Sequence, residues 1–130
     1  MERKEDFFIS EQMAEWIGLK KSEYLSSIIN KQGLEDIGFD QYHLYDSFIP
    51  STIERPDKTY ESRDEDHKIR TYIKTFSEKS GFHQLVIGVL IDDEQNKADV
   101  FVPIITFVTR DHFLVKEFSV GKVISSPILN

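Results

Sequence analysis

The sequence contains no cysteine. The chain therefore forms no disulfide bond, has no thiol nucleophile and offers no thiolate ligand to a metal ion. Disulfides are the usual staples of small secreted domains, whereas thiols stay reduced in the cytosol. The absence of cysteine therefore favours a cytoplasmic location.

Long apolar runs are also missing. The two longest cover residues 85–91 and 100–108, far short of the roughly 20 residues that a membrane-spanning helix needs. The first six residues, Met-Glu-Arg-Lys-Glu-Asp, are charged, and no apolar run follows them as it would in a signal peptide. The sequence therefore predicts no membrane insertion and shows no secretion signal.

Basic residues are outnumbered by acidic ones. Sixteen lysines and arginines against 23 aspartates and glutamates give a formal net charge of −7. A field of this sign repels a phosphate backbone unless a local basic patch overcomes it, and the sequence shows no such patch. We therefore expect no nucleic-acid partner. The acidity itself indicates either simple solubility or a basic protein partner.

One short segment resembles a DNA-binding motif. Ala14–Leu19 followed by Ser22–Leu25 is similar to a helix-turn-helix, and also to the second helix of ribbon-helix-helix repressors. Ser27, however, stands where the recognition helix usually has an apolar residue, and the segment has few cations. A DNA-reading helix needs cations for the phosphates and side chains for the base edges. We therefore do not interpret the segment as a DNA-binding element.

The first half of the chain has helical patterning. Apolar residues at helical spacing predict two helices within residues 10–33, with a break at Gly18. A third, aromatic helix is predicted from Asp40, and Pro50 ends it because proline cannot continue a helix. Its aromatic residues recur at every third position. Residues 50–66 are predicted to form an irregular charged loop.

The second half has strand patterning, with four apolar segments joined by short connections. Short connections between consecutive strands favour an antiparallel meander. The sequence therefore predicts one α+β domain over residues 1–130, in which two or three N-terminal helices (9–49) pack on a four-stranded antiparallel sheet (67–124). The predicted strands are 68–76, 83–91, 100–108 and 113–120.

The two middle strands carry bulky apolar residues on both faces. A sheet with helices on one side only should alternate apolar and polar residues, so the second face must also be covered. The sequence leaves three alternatives for what covers this face: the aromatic helix with the following loop, a second copy of the chain, or a ligand. Pro103 predicts a bulge or an unpaired edge. Gly88 is expected opposite it, where it either opens a gap for a ligand or relieves curvature.

Histidines and carboxylates gather at one predicted end of the sheet. A histidine beside a carboxylate is the common general-base unit. This chemistry requires His83 to lie within hydrogen-bond reach of Asp111 or His112, with Glu78 and Arg110 close by. His83, Asp111 and His112 are therefore weak catalytic candidates, and the alternative is that they are ordinary residues at strand ends.

Acidic residues gather at the other predicted end. Their oxygen atoms suit a hard cation such as Ca²⁺ or Mg²⁺, but their spacing matches no metal-binding loop. Solvated loop charge is the preferred interpretation, so we predict no metal and no cofactor. The residues concerned are Asp64, Glu65, Asp66, His67, Asp92, Asp93, Glu94 and Asp99.

The segment 39–48 is the richest in aromatic residues. Tyrosine and histidine combine an apolar body with a polar tip, which suits a ligand pocket or an interface, although the same residues also make good packing over a sheet. Two phenylalanines of the third predicted strand are further candidates. The residues predicted to bind a ligand or partner are Tyr42, His43, Tyr45, Phe48, Phe101 and Phe107.

The sequence has no glycine-rich phosphate loop, no nucleophile elbow and no zinc-protease motif. It therefore predicts a non-catalytic binding or regulatory domain, which holds a protein partner, a second copy of itself or a small ligand on its sheet face. The alternative is a small enzyme. The order of helices and strands resembles cystatin-like and nuclear-transport-factor-like folds, and this resemblance implies a conical pocket. Such an enzyme would use histidine/carboxylate acid–base chemistry in that pocket.

Overall fold

A computed structural model describes residues 11–64, 66–79, 81–93 and 98–125. This part of the chain forms three α-helices, one 3₁₀ helix and a five-stranded antiparallel sheet. In chain order the elements are α1 (Glu11–Lys31), the 3₁₀ helix (Phe39–Phe48), α2 (Ile49–Glu54), β1 (Lys58–Asp64), β2 (His67–Glu78), β3 (Gly81–Asp93), β4 (Ala98–Thr109), α3 (His112–Glu117) and β5 (Lys122–Ser125).

The strand order in the sheet is β4-β3-β2-β1-β5. Strands β1 to β4 follow one another as a meander, and β5 returns to pair antiparallel with β1. The α+β class and the antiparallel sheet are as predicted, but the predicted number of four strands is wrong. The additional strand β1 lies inside the segment 50–66, which the sequence predicted as loop. Its residues, Lys-Thr-Tyr-Glu-Ser-Arg-Asp, carry too few apolar side chains to show a buried face.

Helix α1 is continuous from Glu11 to Lys31, a length of 21 residues, so the break predicted at Gly18 does not occur. Glycine in a helix interior costs about 1 kcal/mol relative to alanine. Met13 and Ile28, on either side of this position, are buried against the sheet, and such packing supplies most of the stability of a helix. The turn of a helix-turn-helix is therefore absent from the described part of the chain.

The aromatic helix is present, but it is a 3₁₀ helix rather than an α-helix. Its aromatic residues Tyr42, Tyr45 and Phe48 are three positions apart, and three residues make one turn of a 3₁₀ helix, so their side chains align. Pro50 does not stop the helical structure. It occupies the first turn of α2, where its missing N–H group would have no partner in any case.

The prediction of a strand over residues 113–120 is wrong. The segment instead contains α3, whose N-cap Asp111 accepts a hydrogen bond from the backbone N–H of Phe113 at 2.9 Å. Leu114 and Phe118 are buried four positions apart, as one face of a helix requires. Strand β5 follows after Gly121.

Helices cover both faces of the sheet. On one face, α1 and α3 pack over Ile73, Val86 and Phe107; we call this the α1 face. On the other, the α2 face, the 3₁₀ helix and α2 pack over Tyr72 and Ile87. The apolar residues on both faces of the middle strands are therefore covered by helices of the same chain. None of the helices in the described ranges has the length and apolarity to cross a membrane.

Candidate functional site

A cavity of about 230 Å³ lies on the α1 face, between α1, α3 and the middle of the sheet. Its floor comes from three neighbouring strands, because Thr71 of β2 pairs with Gly88 of β3, which in turn pairs with Ile105 of β4. We call it the Gly88 cavity. The residues that line it are Glu23, Tyr24, Ser27, Thr71, Val86, Gly88, Ile105, Glu117, Phe118 and Val120.

The floor of this cavity depends on Gly88. A Cβ atom at Gly88 would lie 3.2 Å from Cγ2 of Ile105, so a side chain there would project towards Ile105 on the cavity side. The register of β3 and β4 shifts between Gly88 and Val89, and Pro103 therefore lies opposite Val89. The bulge and the edge position predicted from Pro103 are both present, but Gly88 lies opposite Ile105 instead of Pro103.

Aromatic rings form the wall between α1 and α3. The ring of Phe118 lies 5.3 Å from that of Tyr24 and 4.7 Å from that of Phe107, with tilted geometry in both pairs. Such contacts between rings are favourable beyond the area they bury. The wall therefore positions Tyr24 and Phe118 firmly beside the cavity.

Half of the lining residues carry a polar or charged side-chain group. Ser27 and Thr71 contribute hydroxyl groups. Burial raises the pKa of Tyr24, against an opposing effect of Lys20, so its phenol stays protonated near neutral pH and can donate a hydrogen bond. The two glutamates each bind a lysine: Glu23 Oε1 lies 3.1 Å from Lys20 Nζ, and Glu117 Oε1 lies 2.7 Å from Lys31 Nζ. Lys31 therefore balances the charge of Glu117, whereas Lys20 is shared between Glu23 and Asp64, 2.6 Å away.

Of the predicted aromatic residues in the 3₁₀ helix, Tyr45 and Phe48 pack on the α2 face, and Tyr42 contacts the core clusters of both faces. Tyr42, Tyr45 and Phe48 are half-buried and pack on the sheet, whereas His43 is exposed. Burial raises the pKa of Tyr42 to about 12, against an opposing effect of Gln32. Three of these four residues therefore form part of the cover of the sheet.

The two phenylalanines of β4 have different surroundings. Phe107 is 0% exposed and belongs to the core beneath α1 and α3, whereas 44% of Phe101 is exposed. Tyr42 of the 3₁₀ helix packs against the same core cluster as Phe107, whereas Tyr45 and Phe48 pack against the cluster of the α2 face.

His83 lies in a box of aromatic rings on the α2 face. Its ring centroid is 4.6 Å from Tyr45 and 5.3 Å from both Phe48 and Phe76. The side chain is 2% exposed, and Nδ1 lies 3.6 Å from Glu78 Oε2, too far for a hydrogen bond. Burial lowers the pKa of His83, while Glu78 acts in the opposite direction. The ring is therefore neutral and enclosed.

Of the other two catalytic candidates, His112 lines one surface depression together with His83, and Asp111 does not. Asp111 caps α3, and His112 is exposed in the first turn of that helix. No hydrogen bond connects either of them to His83 within the described ranges. The predicted neighbours Glu78 and Arg110 do meet, because Arg110 Nε donates to Glu78 Oε2 at 3.0 Å.

Much of the predicted acidic cluster, namely Glu65, Glu94 and the side chains of Asp92, Asp93 and Asp99, lies outside the described residues. Of the rest, Asp64 forms an ion pair with Lys20 at 2.6 Å, and His67 stacks on Trp16 with 4.0 Å between the ring centroids. Within the described residues, no group of three or more potential ligands could hold a metal ion.

Comparisons with known proteins give no relative for this arrangement. No family model matches the chain, and neither the curated proteins nor the solved structures contain a match. We therefore infer function from the geometry of the chain itself.

Sequence reasoning found one residue of the Gly88 cavity and missed the others. Gly88 is noticeable because it interrupts an apolar strand. Tyr24, Ser27 and Phe118 carry no comparable signal, since Tyr24 and Ser27 fit an ordinary helical pattern and Phe118 fits the predicted strand 113–120. Their convergence depends on α1 and α3 lying on the same face of the sheet, and α3 was predicted as a strand.

Proposed function

We propose that this protein is a non-catalytic binding domain that holds a small, largely apolar molecule in the Gly88 cavity. The observation that carries the proposal is the cavity itself, whose floor beneath two helices includes a glycine in an otherwise apolar strand. A Cβ atom at this glycine would lie only 3.2 Å from Cγ2 of Ile105. Glycine within a strand weakens the sheet, and it often marks a place where a ligand approaches the backbone closely.

The size of the cavity limits the ligand. An apolar cavity of about 150 Å³ is large enough for benzene, and the Gly88 cavity measures about 230 Å³. It therefore suits one ring with a short substituent, or an aliphatic chain of similar volume. Val86, Ile105 and Phe118 provide apolar contacts, which favour such a molecule.

The polar groups of the cavity suit one polar end of this ligand. The hydroxyl groups of Tyr24, Ser27 and Thr71 supply donors and acceptors. Because Lys20 and Lys31 are already bound to carboxylates, neither is available to an anion, and we expect a neutral ligand to bind better than an anionic one. The lining contains no histidine, which supports binding rather than acid–base catalysis.

The second candidate function is an enzyme with histidine/carboxylate chemistry, and the pair His83–Glu78 is the observation in its favour. Both ring nitrogens of His83 are buried beneath aromatic rings, and on the sheet this residue faces away from the Gly88 cavity. A general base must reach the proton that it removes. We therefore prefer the binding function.

The proposal is tested by screening neutral one-ring compounds against the isotopically labelled protein by two-dimensional NMR. We expect several compounds to shift the amide signals of Val86, Gly88 and Ile105, because these residues form the floor and its strand neighbours. The amides of the 3₁₀ helix, on the other face, serve as the internal control. Shifts centred on Tyr42–Phe48, or no binding by any compound of suitable size, would contradict the proposal.

A further inference from the structure

A second depression, of about 360 Å³, lies on the other side of α3 from the Gly88 cavity. Its floor is formed by β1, β2 and β3, and α3 provides one wall. We call it the basic groove. The residues that line it are Asp57, Lys58, Tyr60, Ile73, Thr75, Gln84, His112, Val115, Lys116 and Ser119.

Two lysines from different elements border this groove. Lys58 comes from the start of β1 and Lys116 from the last turn of α3, and both are exposed. Within the described residues neither lysine forms an ion pair. By contrast, Lys20 and Lys31 on α1 are bound to carboxylates. Within the described part of this acidic chain, two cations beside one depression therefore lack a paired carboxylate.

The one carboxylate in the lining is already engaged. Asp57 Oδ2 accepts a hydrogen bond from the backbone N–H of Thr75 at 2.8 Å, and its other oxygen lies 3.8 Å from Lys74 Nζ. Lys74 is therefore a closer partner for this carboxylate than either groove lysine. The basic groove keeps a local positive charge within a chain of net charge −7.

The floor of the groove also supplies hydrogen-bonding groups. Gln84 Nε2 donates to Thr75 Oγ1 at 3.2 Å, which fixes the two side chains beside each other. The amide of Gln84 keeps a second N–H, and the hydroxyl of Thr75 keeps its own hydrogen. Tyr60 adds a phenol, and the exposed imidazole of His112 stands at the wall. These groups can donate hydrogen bonds to the oxygen atoms of an anion.

We propose that the basic groove is a binding site for a small oxyanion, that is, the carboxylate or phosphate group of a small molecule. Lys58 and Lys116 supply the charge from two sides, and the side chains of Thr75 and Gln84 supply directional hydrogen bonds between them. Charge-assisted hydrogen bonds of this kind are stronger than those between neutral groups. The site is separate from the Gly88 cavity and does not depend on the function proposed for that cavity.

The experiment is an NMR titration of the labelled protein with inorganic phosphate and, separately, with acetate, at constant ionic strength. We expect saturable shifts at the amides of Lys58, Thr75 and Lys116. A field of net charge −7 would by itself repel these anions. Tighter binding of phosphate indicates a phosphate-bearing ligand, and equal or tighter binding of acetate indicates a carboxylate.

Three lysine variants decide whether the groove is the site. Lys58→Gln and Lys116→Gln each remove one charge from an exposed position, and we expect each to raise the dissociation constant about fivefold or more. Lys21→Gln, on the exposed side of α1, is the matched control and should change it less than about twofold. Shifts that do not saturate, or equal effects of all three variants, would overturn the proposal.

Discussion

Replacing Phe107 by alanine is expected to lower the free energy of unfolding by about 3 to 5 kcal/mol. Phe107 is fully buried in the cluster that joins the sheet to α1 and α3. Removing the ring takes away its contact with Phe118, 4.7 Å away, and leaves a void that the surrounding strands cannot close. Urea unfolding followed by circular dichroism measures the change.

The matched control is Phe101→Ala on the same strand. Because 44% of Phe101 is exposed, we expect this variant to change the free energy of unfolding by no more than about 1 kcal/mol. The sequence alone treats the two phenylalanines alike, as candidates for a binding surface. Equal effects of the two substitutions would contradict the arrangement of β4 described above.

Replacing Asp36 by alanine is expected to cost about 3 kcal/mol of unfolding free energy. Asp36 lies in the connection between α1 and the 3₁₀ helix. Its Oδ1 accepts from the backbone N–H groups of Ile37 and Arg110, both at 2.7 Å, and its Oδ2 accepts from the hydroxyl of Thr109. The carboxylate therefore fixes the chain where it crosses from the α1 face to the α2 face. Urea unfolding again gives the value.

Asp36→Asn keeps the volume of the side chain and changes only its hydrogen bonding. It therefore separates the two contributions to the free energy of unfolding. The amide keeps one carbonyl acceptor but replaces the other oxygen by a donor, so we expect about half of the loss seen with alanine. If Asp36→Ala were as stable as the wild type, the connection would not be held by this carboxylate.

The sequence predicts the centre of the sheet well because its signal is strong there. Residues of β3 such as Val86 and Ile87 point to opposite faces and are both buried, and only strands with two covered faces have this pattern. The same pattern correctly indicates that something covers each face. It does not distinguish a cover from the same chain from a partner, because the pattern describes the sheet and not the cover.

The errors lie where tertiary contacts decide the local structure. Strand β1 is polar and is identified only by its pairing with β2 and β5. The segment 112–117 contains the β-branched Val115 and bulky apolar residues that favour a strand, but the cap at Asp111 and the burial of Leu114 favour a helix. The Gly88 cavity depends on that helix, so most of its residues could not be predicted.

The most direct test of the account is the affinity of a compound found in the NMR screen for the Gly88→Ala variant, measured by calorimetry. The added methyl group enters the cavity floor, and Ile105 must move by only a few tenths of an ångström to accept it. We therefore expect a folded protein that binds at least about tenfold more weakly. Gly33→Ala, where a Cβ meets no atom within 4 Å, should bind normally. If Gly88→Ala does not fold, Ser27→Leu narrows the same cavity from α1. Unchanged affinity in a folded cavity variant would show that the ligand binds elsewhere.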